Sequence, residues 1–182
     1  TRRPTGQTEV LDFFVDAPGQ GLPPGELAPH FTPVTVVFSD AEQVFHAGFG
    51  SVAVPGVLSG YLAAHRRLGR LPLSDVVAPA TMLARQGSRL SPTQAEVLQL
   101  LRAIFALTPE ATHLFLTNGA PPNAGDRFVN PEYADFLDQL GHLDPQSWVD
   151  LPQTHALLGR MQTSGGLLTH DDLRAYRVQT RQ

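Results

Sequence analysis

GFGSVAVPGVLSGYLAAHRRLGRLPLSDVVAPATMLARQG, residues 48–87, is the stretch where the chain changes character. Ser51-Val52-Ala53-Val54 reads as a short strand, and Pro55 pushes Val54 toward extended backbone. Pro55 also suits the first position of a helix, since its missing N–H has no intrahelical partner there. Leu58, Leu62 and His65 then recur at helical spacing until Gly69 closes the segment. Gly56, Gly60 and Ala64 fall every four residues, which makes one helix face narrow enough for close packing. A second helix is predicted over 74–85, stopping at Gly87, with a kink or break at Pro79.

Upstream the sequence is β-rich. Residues 10–18, VLDFFVDAP, predict a strand with Leu11, Phe13 and Val15 on one face and Asp12, Phe14 and Asp16 on the other. Phe14 is thus the apolar member of an otherwise acidic face. A turn-laden Pro/Gly connection follows, and then VTVVFSDAEQVFHAG predicts two short strands joined at Ser39-Asp40-Ala41-Glu42.

Downstream the pattern is helical. Ser91, Pro92 and Gln94 spell a capping box for a helix running to about Leu107. Further helices are predicted from Asn130-Pro131, over 146–161, and from the Thr169-His170-Asp171-Asp172 cap to near Tyr176. The chain therefore divides into a β-rich lead-in, 1–54, and a helical lobe, 55–182.

Composition narrows the chemistry. The 182 residues suffice for a real core, and a net charge of −4 gives no sign of a nucleic-acid partner. No apolar run approaches the roughly 20 residues that span a bilayer. With no cysteine, disulfides, thiolate nucleophiles and Cys-ligated metals are excluded. All 13 basic residues are arginine, so this chain supplies neither a P-loop lysine nor a Schiff-base lysine.

The candidate sites are thin. Gly48-x-Gly50-x-x-Ala53 fits a dinucleotide fingerprint, but extended residues follow where the motif needs a helix N-terminus, so a glycine turn is the better reading. No G-x-S-x-G elbow occurs, and none of the seven histidines is paired as H-x-x-x-H. His170, Asp171 and Asp172 offer metal-binding groups, yet the same residues serve as a helix N-terminus, and capping is preferred. Thr1 is of the type used as an N-terminal nucleophile, but it lies in a polar lead ahead of the first strand. Residue chemistry alone identifies no catalytic constellation and no metal or cofactor site.

The order of motifs adds more: Val54-Pro55-Gly56, then Gly60, His65 and Gly69, Leu71-Pro72-Leu73, Pro79-Ala80, and Leu83-Ala84 with Gly87. Gly125-Asp126 with Asn130-Pro131, and Gly165-Gly166-Leu167-Leu168-Thr169 with Asp172-Leu173 and Tyr176, complete the series. In this order they resemble the γ-glutamyltransferase (γ-glutamyltranspeptidase) family from Glu9 to Val178. The resemblance implies an α/β fold, a few N-terminal strands and a mainly helical lobe contributed to the αββα sandwich of an N-terminal-nucleophile hydrolase. It also implies a precursor that cleaves itself, exposing a threonine that attacks a γ-glutamyl amide and passes the acyl group to water or an amine.

The likeness places this chain within the large subunit, with the nucleophile outside it. The implied partners are the remainder of the same polypeptide, as a small subunit bearing the threonine, and a small-molecule or peptide amide substrate; no cofactor is implied. A rival of another class is a non-catalytic homologue serving binding or assembly. One functional residue of the family should fall inside, the arginine of an LDFRE-like segment that grips the substrate α-carboxylate. Here Leu11-Asp12-Phe13 match and Phe14 takes the arginine position, which leaves it open between a substrate-pocket role and core packing.

Overall fold

The computed structural model describes residues 8–144 and 147–181. Thr1 lies outside the described residues. The chain forms two compact units, each assembled from separated stretches of sequence. One contains the described residues up to His30, Phe49–Leu73 and those from His142 onward; the other contains Phe31–Gly48 and Ser74–Gly141. The architecture is α/β, mixing short antiparallel strand pairs with helices along the chain.

In the first unit, β1 (Val10–Asp12) pairs antiparallel with β6 (Gln179–Arg181), bringing the two ends of the described chain together. An Asp12–Arg181 ion pair of 2.7 Å closes this ribbon. The predicted strand over 10–18 is thus regular only at its start and rejoins a partner at Asp16, which bridges Val54. Ser51-Val52-Ala53-Val54 is likewise no strand of its own: Phe49–Ser51 is a 3-10 turn, and Val54 makes only that bridge. α1 (Val57–Leu68) ends with Gly69 N donating to His65 O at 2.6 Å. The last elements are a 3-10 turn (Ser147–Asp150), α7 (Pro152–Thr163) and α8 (His170–Ala175). The helix expected over 146–161 begins later, because Leu151 is held extended ahead of Pro152. Leu62, Trp148, Leu158, Met161, Leu168 and Leu173 form much of the buried apolar set of this unit.

The second unit is built on a hairpin. β2 (Thr32–Phe38) and β3 (Ala41–Ala47) are in register from Thr32↔Ala47 to Phe38↔Ala41, joined by Ser39-Asp40. Val34, Val36 and Ala47 point inward onto Leu100, Ile104 and Leu107. α2 (Leu73–Gln86) runs unbroken through Pro79. The proline removes one backbone donor, and Thr81 in the same turn donates its hydroxyl to Val77 O at 3.1 Å. β4 (Ser88–Arg89) pairs with β5 (Arg127–Phe128). Ser91 and Gln94 make the expected capping box on α3 (Pro92–Leu100), which is followed by α4 (Arg102–Phe105) and α5 (Pro109–Phe115). α6 (Pro131–His142) is the last helix of this unit. Among the described residues, no helix is long and apolar enough to cross a membrane.

Candidate functional site

The site is built on the segment that leaves β1. Asp12 Oδ1 accepts from Phe14 N at 3.1 Å, a local turn that takes the chain off the ladder. Two residues further on, Asp16 and Val54 exchange backbone hydrogen bonds of 3.3 and 2.9 Å. Between these anchors the Tyr176 hydroxyl donates to Phe14 O at 2.7 Å. Residues 13–15 are therefore held at both ends and in the middle.

Two glycines of α1 and its lead-in let this segment approach. A β-carbon on Gly60 would overlap the Phe13 ring, and one on Gly56 would overlap the Tyr176 hydroxyl and Phe13 O. Phe13 packs down over Gly60 and meets Tyr61 edge-on, with ring centroids 5.7 Å apart. Phe14 points the other way and is 80% exposed. The small-residue spacing noted in the sequence is thus a packing face whose counterpart is Phe13, and Phe14 is the residue left on display.

The surroundings of Phe14 are acidic. Phe14 N and Arg181 hold the Asp12 carboxyl below its usual range, so Asp12 is ionised at neutral pH. Burial, and then the carboxylates of Asp16 and Asp12, push the Tyr176 phenol up, which keeps it a neutral donor. An anionic group brought to Phe14 would meet an exposed apolar ring, and the Arg181 guanidinium nearby is already paired with Asp12.

A cleft of about 710 Å³ opens in the same unit, with Arg66, Arg67, Arg174 and Arg177 over Leu62 and Leu173. Glu9 takes up Arg67 at 2.7 Å, and Asp150 takes up Arg174 at 2.9 Å. Sequence reading did not assemble this cluster, because its arginines come from segments more than a hundred residues apart.

The other sequence candidates resolve separately. Gly48 has φ +111° and Phe49–Ser51 turns in 3-10 form, so no α-helix N-terminus opens within the G-x-G-x-x-A stretch. A β-carbon on Gly50 would overlap the His30 backbone, which explains the second glycine by close approach. Asp172 is buried and caps α8: it accepts from Thr169 N at 2.8 Å, Gly19 N at 2.9 Å and Gln20 N at 2.9 Å. Asp171 lies over Gly21. His170 alone of that trio turns elsewhere, with Nε2 3.0 Å from Asp150 Oδ1 and its ring stacked on His155. Among the described residues, Asp150, His155 and His170 are the group whose donor atoms gather as metal ligands do, all within 4.8 Å of one another.

Comparison with known proteins matches the chain to one family. The gamma-glutamyltranspeptidase family model matches residues 3–182. A glutathione hydrolase proenzyme of Pseudomonas aeruginosa is 27% identical over 94% of the chain, which spans 31% of that relative. An acylase ACY 1 proenzyme of Pseudomonas sp. strain V22 is 33% identical over 79% of the chain, which covers 25% of it. Among solved structures, the gamma-glutamyltranspeptidase of Helicobacter pylori aligns over the whole chain and half of its own, with a TM-score of 0.79 at 24% identity. A cephalosporin acylase of Bacillus halodurans shares the fold over 99% of this chain and 33% of its own, with a TM-score of 0.74 at 23% identity. The chain thus spans about a third or less of the curated relatives it matches, and it belongs to the gamma-glutamyltranspeptidase family.

Proposed function

We propose that the chain is part of the large subunit of a self-processing acyl-transfer enzyme, and that Phe14 lies against the acyl group. In this reading a threonine elsewhere in the polypeptide attacks the amide carbonyl through its hydroxyl oxygen. Its own α-amine takes the hydroxyl proton and returns it to the departing amine, leaving an acyl–threonine ester. Water or a second amine then takes the acyl group and frees the threonine. The proenzyme names of the glutathione hydrolase and acylase relatives support the processing step.

The observation that carries the specificity reading is the display of Phe14. It is 80% exposed on a segment pinned by Tyr176, Asp12 and the Asp16–Val54 bridge, so it does not serve as core packing within this chain. The resemblance aligns it with a carboxylate-binding arginine, and an apolar ring cannot make the bidentate contact a guanidinium makes. Losing such a desolvated charge pair costs on the order of 2–5 kcal/mol, enough to remove useful selection of γ-glutamyl groups. An apolar acyl group suits the position better.

The test uses the full-length polypeptide. Purified protein should split into two chains, the smaller beginning with threonine; a protein that never splits would be the non-catalytic homologue instead. The split enzyme should turn over γ-glutamyl-p-nitroanilide poorly and phenylacetyl-p-nitroanilide better. Phe14→Arg should raise kcat/KM for the γ-glutamyl substrate by about tenfold or more, equivalent to about 1.4 kcal/mol. Efficient γ-glutamyl turnover by the unaltered enzyme would mean that another arginine, with those of the 710 Å³ cleft first in line, holds the carboxylate.

A further inference from the structure

Asp150 ends the 3-10 turn, His155 sits on the first turn of α7, and His170 opens α8. Three separate elements thus bring two imidazoles and one carboxylate to a single place on the first unit. Their donor atoms all lie within 4.8 Å of one another, close enough for small side-chain rotations to bring them onto one ion. Asp150 and His155 are exposed and His170 is half-buried, so an ion would reach the group directly from solvent.

We propose that Asp150, His155 and His170 form a binding site for a divalent transition-metal ion, with zinc as the reference case. The donor set decides the class. Two imidazoles with one carboxylate suit zinc, nickel or copper, whereas magnesium and calcium take mainly oxygen ligands. Three protein ligands leave at least one coordination position to water, so the site is open. Asp150 is the pivot. Its Oδ1 lies 3.0 Å from His170 Nε2 and accepts from Arg174 at 2.9 Å, so an ion bound through that nitrogen takes the place of its proton and releases the proton to solvent, with the Asp150 carboxylate as the neighbouring ligand. The His155 and His170 rings are 5.4 Å apart and inclined by only 18°. Of the neighbouring carboxylates, Asp172 is committed to capping α8, and Asp171 lies against Gly21 outside the cluster of three. Arg174 is the opposing feature, since a guanidinium beside Asp150 repels a cation and shares its ligand. The geometry therefore predicts a moderate affinity that removal of Arg174 improves.

The probe is the metal alone, Zn2+ by calorimetric titration and Co2+ by visible absorption, on untagged full-length protein. Wild type should bind one more equivalent than His155→Ala, and should give Co2+ ligand-field bands that the variant lacks or shows only weakly. His170→Gln should weaken binding at least tenfold, whereas Arg174→Gln should tighten it severalfold. Circular dichroism controls for folding, and His155→Ala is the primary variant because its side chain is exposed. Equal stoichiometry and identical Co2+ spectra in wild type, His155→Ala and His170→Gln would overturn the proposal, as would Arg174→Gln binding no tighter than wild type. None of these readouts depends on acyl transfer.

Discussion

Two adjacent phenylalanines are sorted by one glycine. Phe13 can lie on α1 because Gly60 has no side chain, and the backbone then turns Phe14 outward. Gly60→Ala sets two effects against each other. Alanine is the better helix former by about 1 kcal/mol, but its β-carbon would overlap the half-buried Phe13 ring. Overpacking of this kind costs roughly 1–3 kcal/mol, and a shift of the Phe13 ring would also disturb its edge contact with Tyr61. We expect the clash to win, lowering the denaturation midpoint of the full-length protein. Adding Phe13→Leu should recover part of the loss, because the two residues share one contact and their effects cannot be additive. A stabilised Gly60→Ala protein would show that Phe13 is not seated on the helix. The alternating pattern of residues 10–18 put the two phenylalanines on opposite faces but left Phe14 open between core packing and display. The partner of Phe13 was not legible, because a strand pattern says which face is buried and not what buries it.

At the scale of elements, legibility followed the range of the interaction. The capping boxes of Ser91 and Thr169 were readable because donor and acceptor lie three residues apart. α5 was not predicted, although Thr108 caps it and Pro109 starts it, since its seven residues carry too short a periodic pattern. β6 was not predicted either: Gln179-Thr180-Arg181 is polar and becomes a strand only by pairing with β1, far away in sequence. That ribbon is held by Asp12, which accepts from Phe14 N and pairs with Arg181 at 2.7 Å. These bonds depress the Asp12 pKa in the folded state, so its ionised form stabilises the fold above the ordinary carboxylate range and the contribution fades as pH falls through the depressed value. Wild type should therefore be more stable than Asp12→Asn at neutral pH, with the gap narrowing on acidification and shrinking in high salt. Urea unfolding of the two proteins along a pH series checks this. A gap that widened as pH fell would have the wrong sign for an ionised Asp12.

For the molecule as a whole, the hairpin carries the most information about what lies beyond these residues. Val34 and Val36 are 8% and 2% exposed, as an inward face should be. The opposite face carries Val37 at 61% and Val44 at 53% exposure, on paired strands. The run Val34-Thr35-Val36-Val37-Phe38 is nearly continuous in apolar residues, the composition of a strand covered on both faces. This is why the sequence read easily as β-structure while its layering did not: among the described residues the apolar outer face is left exposed. The chain also spans only half of the Helicobacter pylori enzyme whose fold it shares. If the remainder of the polypeptide covers that face, Val37→Thr should destabilise the full-length protein by about 1–2 kcal/mol, the penalty for placing a hydroxyl among apolar neighbours. Substitutions on a true surface stay within about 0.5 kcal/mol. Measured against Val36→Thr, whose side chain is already enclosed, Val37→Thr should approach the buried class. An effect within the surface range would mean that this face meets water in the complete enzyme, and that the hairpin is an outer layer and not an inner one.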